Sequence, residues 1–331
     1  MNLTIIGGGS WGTALAIALA PRFQRVKLRV FEPDLAMRMG MTRQNDVYLP
    51  GFKLPDNVDV VLPMSAAFAK AYIVLCVVPS HFAAQTYAEA QPYVNSSMIF
   101  VSATKGLEHN RLRRISEVLV ESFRPKFEAR VAALSGPTFA RDVAAGEPAA
   151  VVVAAHDPSV ASLVQEAFSG PSLRLYTSHD IIGVELGGAL KNVIAIAAGV
   201  VEGLGLGNNT TAALITRGLA EITRLSVAMG AKPQTLAGLA GLGDLVLTCT
   251  GDLSRNRKVG ICLAKGQNLK EITASTRMIA EGVETCSSAV ALGQKFAVDL
   301  PIISQMYAVL HESKPPLEAI RALMDRSLKH E

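Results

Sequence analysis

Cysteine is scarce and scattered in this chain. Its four residues, Cys76, Cys249, Cys262 and Cys286, form no CxxC pair and sit mostly among apolar or small neighbours. That pattern argues against a disulfide framework or a thiolate metal site and points to buried thiols in a reducing compartment. Long hydrophobic runs are also missing, since the closest stretch, Val193–Val201, falls far short of the roughly 18–20 residues of a membrane span. The chain opens directly on the strand-like Leu3-Thr4-Ile5-Ile6, without the charged and apolar regions of a signal peptide. A cytoplasmic protein without membrane insertion is expected. An excess of one charge is lacking too: 32 Lys and Arg stand against 28 Asp and Glu, a net +4 with no concentrated basic run. Nucleic acid is therefore not an expected partner, whereas a small anionic substrate is. His81, His109, His179 and His311 are scattered with no metal-ligand spacing, so metal-free chemistry is expected.

What the chain does have is length for two cores: 331 residues, half of them hydrophobic. In the first half, Leu3–Ile6, Val26–Phe31, Val58–Leu62, Ile73–Val78, Met98–Ser102, Val131–Ser135 and Ala150–Ala155 read as strands between amphipathic helical stretches. Such alternation predicts an α/β fold, a Rossmann-like, doubly wound and mostly parallel sheet. Beyond Ser178 the pattern turns to long Ala-, Leu- and Gly-rich helical segments, among them Gly183–Val201, Ala212–Met229 and Pro301–His311. After the turn Lys314-Pro315-Pro316 a final amphipathic helix is expected. The polar, cap-forming stretch Tyr176–Asp180 sets the expected boundary, giving a dinucleotide-binding domain over 1–178 and an all-helical substrate-binding, catalytic domain over 179–331. No internal repeat or low-complexity segment interrupts this plan.

Gly7-Gly8-Gly9-Ser10-Trp11-Gly12 fits GxGxxG through Gly7, Gly9 and Gly12, directly after a strand and at the opening of a helix. The first glycine allows the tight turn, the second the approach of a pyrophosphate, and the third close helix–strand packing. A dinucleotide is expected at the free N–H groups of that helix N-terminus. The missing Gly-Lys-Ser/Thr excludes a P-loop. Glu32 follows the second strand about 20 residues past the last motif glycine, where an acid accepts hydrogen bonds from the adenosine ribose hydroxyls and repels a 2′-phosphate. The cofactor is therefore NAD(P)H, with NADH favoured by Glu32; an exposed loop acid is the alternative at that position.

In the second half Lys191 is the only lysine of a long apolar helical segment. Spacing alone leaves two readings open: a lysine snorkelling out of the helix, or an ammonium desolvated near another cation and tuned for acid–base work.

With that residue the chain resembles, over nearly its whole length, the bacterial NAD(P)-dependent sn-glycerol-3-phosphate dehydrogenase family. The resemblance rests on a series of motifs in one order: Gly7-x-Gly9-Ser10-Trp11-Gly12-Thr13-Ala14-Leu15-Ala16, Val77-Val78-Pro79-Ser80-His81, Ala103-Thr104-Lys105-Gly106-Leu107-Glu108, Ser135-Gly136-Pro137-Thr138-Phe139-Ala140, Gly187-Gly188-Ala189-Leu190-Lys191-Asn192, Thr216-Arg217-Gly218-Leu219-Ala220-Glu221, Gly241-Leu242-Gly243-Asp244-Leu245, Ser254-Arg255-Asn256-Arg257 and Glu281-Gly282. It implies interconversion of dihydroxyacetone phosphate and sn-glycerol 3-phosphate by hydride transfer, supplying glycerol phosphate for phospholipid synthesis. By the same resemblance Lys191 is the proton donor or acceptor, Lys105 touches cofactor and substrate, and Asp244 holds a lysine or hydroxyl in register. Ser10, Trp11, Phe31, Ala140, Arg255, Ile279 and Glu281 would border the cofactor. Gly136, Thr138, Asp244, Ser254, Arg255 and Asn256 would border the substrate. A guanidinium flanked by two short hydrogen-bonding side chains suits a phosphate monoester, although Ser254-Arg255-Asn256 could also be a helix cap with a surface arginine.

Two positions depart from the family pattern. Phe31 stands where a basic residue is common, which weakens the expectation of NADP binding, and Pro21–Arg25 lacks the glycine that often ends the first helix. Two other functions compete: a related two-domain hydroxyacid dehydrogenase, which would not need Ser254-Arg255-Asn256, and a dinucleotide-responsive regulator, which would not need Lys105, Lys191 and Asp244. The small-residue helices of the second half are compatible with a homodimer, and a monomer with a well-covered core reads the same way.

Overall fold

The structure, a computed structural model, describes residues 1–274 and 280–328. Eight strands form its main sheet: β1 (Asn2–Ile6), β2 (Arg25–Arg29), β3 (Val58–Val61), β4 (Ile73–Cys76), β5 (Ile99–Ser102), β6 (Arg130–Ser135), β7 (Ala149–Ala155) and β8 (Leu173–Ser178). Their order is β3-β2-β1-β4-β5-β6-β7-β8, parallel throughout except where β7 runs against β6. The first six strands thus have the order of a dinucleotide-binding fold, with the switch point between β1 and β4.

Strand side chains alternate between two apolar layers, as a period of two requires. Leu3, Ile5, Leu75 and Val101 pack beneath Leu15 and Leu19 of the Ser10–Leu19 helix and Phe168 of the Pro158–Phe168 helix. Ile6, Val74, Cys76 and Phe100 pack against Tyr87 and Phe123, from the Ala83–Ala90 and Ile115–Phe123 helices. With helices on both faces the sheet is doubly wound. Each large apolar side chain so enclosed contributes about 1.5–3 kcal/mol.

Two features differ from the sequence expectation. The seven expected strands are joined by β8, whose last residues Tyr176, Thr177 and Ser178 occupy the stretch read as a polar boundary. As an edge strand it buries Leu173 and Leu175 while turning Arg174 and Tyr176 outward, and that mixture reads as polar in sequence. The missing glycine after the first helix is replaced by a short 3₁₀ turn, Ala20–Arg22. There Asn57 Nδ2 donates to the carbonyls of Ala20 and Phe23 at 2.8 and 2.9 Å, bracing the turn alongside the Phe23 N–H that bonds the Ala20 carbonyl at 3.3 Å.

Beyond Ser178 the described residues form helices and no strand. Asp180 caps the Ile181–Gly203 helix through Oδ1, which accepts from the Gly183 N–H at 2.9 Å. That helix is long and apolar enough to cross a bilayer by length and composition. It is buried on all sides, however, as the axis of the helical half. The Arg255–Ala264 helix crosses it where glycine meets glycine: a Cβ on Gly199 would stand 1.9 Å from the Arg257 carbonyl oxygen, and one on Gly260 1.9 Å from that of Ile196. A buried ion pair joins the helix to the sheet half. Glu185 Oε2 accepts from Arg114 Nη1 at 2.8 Å, and its carboxylate also takes the Ser116 N–H and hydroxyl at 2.8 and 2.6 Å.

Gly199→Ala is expected to force these two helices apart, costing at least the roughly 1–3 kcal/mol of an overpacked core. Urea denaturation of the ligand-free protein measures this, and a stability equal to that of the parent chain would contradict the close crossing.

Candidate active site

The chain leaves β1 through Gly7, whose φ of +124° and 2.6 Å Cβ clearance from the Val77 carbonyl oxygen admit only glycine. A Cβ on Gly12 would lie 1.9 Å from the Gly7 carbonyl oxygen, whereas one on Gly9 would meet nothing within 4 Å. The open space at Gly9 is where the Ser10–Leu19 helix presents its first N–H groups without a side-chain cap. A pyrophosphate fits that cradle.

Around the cradle, Trp11 lies beneath Lys105, whose Nζ is 5.9 Å from the ring centroid. Phe31 is 67% exposed, with the Arg29 guanidinium 5.4 Å from its ring, so position 31 offers an aromatic face instead of a charge. Glu32 stands at the start of the Pro33–Thr42 helix, and its Oε1 accepts from the Tyr48 hydroxyl at 2.7 Å. Asn45, fully buried, donates through Nδ2 to the Gly8 carbonyl at 2.8 Å and the Thr13 hydroxyl at 2.9 Å. Asn45 and Tyr48 were not singled out in the sequence, where nothing links them to the glycine turn. Ala140 begins a short helix, Ala140–Ala144, behind the loop that carries Gly136 and Thr138.

Three charged side chains converge where the halves meet. Asp244 follows a π-turn, Leu239–Gly243, and is fully buried. Its Oδ2 accepts from Lys105 Nζ at 2.9 Å, while its Oδ1 accepts from Lys191 Nζ. Lys105 also donates to the Gly136 carbonyl at 2.9 Å and lies 3.4 Å from the Thr138 hydroxyl. Lys191, 4% exposed, donates to the Thr248 hydroxyl at 2.9 Å, and Thr248 donates on to the Asp244 carbonyl at 2.6 Å. Thr248 escaped notice in the sequence, although its spacing of four from Asp244 on one helix is the available signal. Burial draws the Lys191 pKa down to about 7; attraction to Asp244 opposes the shift and repulsion from Lys105 adds to it. Two ammonium groups sharing one carboxylate leave the site one positive charge in excess when both are protonated.

Side-chain amides brace this cluster. Asn192 Nδ2 donates to the Lys105 carbonyl at 3.2 Å, Asn256 Nδ2 to Asn192 Oδ1 at 3.0 Å, and the Gly282 N–H to Asn256 Oδ1 at 3.0 Å. Ser254 caps the Arg255–Ala264 helix by accepting from the Arg257 N–H at 3.2 Å. Ser254 and Asn256 are thus tied into the framework, while Arg255 is exposed beside them. Glu281, at the start of the Glu281–Lys295 helix, reaches across to the sheet half and accepts from the Ser80 N–H at 3.0 Å and the Ser80 hydroxyl at 2.5 Å. Burial raises its pKa; the Ser80 hydrogen bonds, His81 and Arg255 oppose the rise. Ile279 lies outside the described residues.

Comparison with known proteins agrees with this arrangement along the chain. The family model of the NAD-dependent glycerol-3-phosphate dehydrogenase N-terminus matches residues 2–161, and that of the C-terminus matches residues 180–321. A curated glycerol-3-phosphate dehydrogenase [NAD(P)+] from Geobacter sp. (strain M21) is 52% identical over 330 residues, covering 100% of this chain and 98% of the relative. The crystal structure of a glycerol-3-phosphate dehydrogenase from Coxiella burnetii superposes with a TM-score of 0.94 at 38% identity, covering 98% of this chain and 99% of that one. A Saccharomyces cerevisiae glycerol-3-phosphate dehydrogenase structure gives 0.83 at 27% identity, covering 98% and 99%.

Asp244→Asn is expected to lower the Lys191 pKa below its present value of about 7, because the opposing attraction goes while burial and Lys105 remain. An NMR titration of the lysine Nζ resonances would show this; an unchanged or raised value would contradict the shared-carboxylate geometry.

Proposed function

The chain belongs to the NAD-dependent glycerol-3-phosphate dehydrogenase family, and from that premise we propose how its residues divide the reaction. It is an NAD(P)-dependent oxidoreductase acting on the CH–OH group of sn-glycerol 3-phosphate, interconverting that compound with dihydroxyacetone phosphate. When bound, the nicotinamide supplies or takes up the hydride. Gly7, Gly9, Ser10, Trp11 and Gly12 cradle the dinucleotide, with Phe31 and Glu32 toward the adenosine and Ala140 and Glu281 toward the other end. Glu32 favours NADH over NADPH.

In reduction Lys191 gives its proton to the carbonyl oxygen as charge develops there, and in the reverse direction it removes the proton of the secondary hydroxyl. Lys105 stabilises the oxygen electrostatically, and Asp244 holds both ammonium groups in place. Arg255 binds the phosphoryl group from the N-terminus of its helix, where backbone N–H groups and the helix dipole favour an anion. Ser254 and Asn256 complete that site, and Gly136 and Thr138 border the substrate near Lys105. The observation that carries this reading is the buried Lys191, drawn to about 7 and paired with Lys105 through one carboxylate. A hydroxyacid substrate would leave Arg255 without a phosphoryl partner, and a non-catalytic regulator would have no use for the tuned amine.

We place the domain boundary between residues 178 and 179, the protein in the cytoplasm and its product in phospholipid synthesis. The four free thiols support a reducing compartment. The small-residue helices of the helical half suit a homodimer and a monomer alike.

Mixing the protein with dihydroxyacetone phosphate and either NADH or NADPH, and following cofactor absorbance, tests reaction and preference together. Lys191→Ala is expected to lower kcat by about 100- to 10,000-fold with cofactor affinity nearly unchanged. Retained turnover would remove Lys191 from the mechanism. Because reduction needs the ammonium and oxidation the free amine, kcat/KM for reduction should fall as pH rises through about 7, while that for oxidation should climb. Parallel profiles in the two directions would count against this assignment.

A further inference from the structure

The described residues between the second and third strands of the main sheet include a small antiparallel pair, Gln44–Asn45 against Leu49–Lys53, outside the main sheet. Two of its side chains reach different parts of the dinucleotide site. From its first strand, Asn45 Nδ2 ties to the Gly8 carbonyl and the Thr13 hydroxyl, across the glycine turn and the helix it opens. In the connection that follows, the Tyr48 N–H donates to Asn45 Oδ1 at 2.9 Å, and the Tyr48 hydroxyl donates to Glu32 Oε1 at 2.7 Å. One chain of hydrogen bonds therefore runs from the pyrophosphate cradle, through Asn45 and Tyr48, to the carboxylate assigned to the ribose.

We propose that this hairpin is a clamp that sets the register between the glycine turn and Glu32, and that Tyr48 is a positioning residue which makes Glu32 discriminate between NADH and NADPH. The inference rests on the reading above, in which a dinucleotide lies on the glycine turn.

A glutamate side chain left to itself samples many rotamers, and fixing it on binding costs affinity. Tyr48 removes part of that cost before the cofactor arrives by holding Oε1, so that the carboxylate is already placed to accept from a ribose hydroxyl. The same restraint prevents the carboxylate from swinging away from a 2′-phosphate, so repulsion is felt in full. Tyr48 thus strengthens NADH binding and weakens NADPH binding through one contact. Asn45 acts on the turn beneath the pyrophosphate, which both cofactors share, so its effect should not distinguish them.

The test is equilibrium binding of NADH and NADPH, measured by titration calorimetry without substrate, to the parent protein and to Y48F, N45A, E32A and E32A/Y48F. Circular dichroism melts check that each variant is folded. Y48F is expected to reduce the ratio of the NADPH to the NADH dissociation constant by about tenfold, the size of one hydrogen bond to a charged group. In the E32A background the same substitution should change the ratio by less than about twofold, since Tyr48 acts through Glu32. N45A should weaken both cofactors by a similar factor. Equal weakening of both by Y48F, or an undiminished Y48F effect without Glu32, would overturn the proposal, and Y48F is conservative enough to keep the comparison open if N45A does not fold. Absence of NADH binding to the parent protein would instead overturn the functional reading beneath it.

Discussion

The arrangement depends on one buried carboxylate. Asp244 has no exposed surface and two lysines on its oxygens, Lys105 from the sheet half and Lys191 from the central helix of the helical half. An unpaired ammonium at the Lys191 position would be costly, and a fully compensated one would be inert near neutral pH. One carboxylate between two cations gives an intermediate outcome: enough attraction to keep Lys191 in place, too little to restore its ordinary pKa. Because Lys105 and Lys191 come from different halves, the same contact also aligns the sheet, which carries the glycine turn, with the helices that carry Arg255.

The rest of the fold serves that alignment. Gly199 and Gly260 bring the Arg255–Ala264 helix against the central helix. The Asn192–Asn256–Gly282 amide chain then links that helix to the backbone of Lys105 and to the helix starting at Glu281. Glu185 with Arg114 and Glu281 with Ser80 add two further polar ties between the halves. Buried polar networks of this kind specify one arrangement of two apolar bodies that could otherwise slide.

How much of this was legible in the sequence follows from the range of each interaction. The glycine turn was legible because strand, GxGxxG and helix are contiguous, and the helical half because its apolar periodicity runs long. Lys191 was visible as an ammonium out of place in an apolar segment. Its partnership with Asp244 was not: the two lie 53 residues apart, Lys105 and Asp244 139 apart, and Ser80 and Glu281 201 apart. Local pattern carries no signal for such pairs, and only the resemblance to a family gathered those residues together. Strand β8 was missed because an edge strand that turns Arg174 and Tyr176 outward has the composition of a loop. Tyr48 was missed because its hydroxyl meets Glu32 only through the fold of the intervening hairpin.

The most direct measurement is a crystal structure of the protein with a nicotinamide cofactor and dihydroxyacetone phosphate bound together. Lys191 Nζ should then lie within about 3 Å of the carbonyl oxygen, still paired with Asp244, with the Arg255 guanidinium on the phosphoryl oxygens. A substrate seated with its carbonyl oxygen beyond the reach of Lys191, or with its phosphoryl group held elsewhere, would contradict these roles.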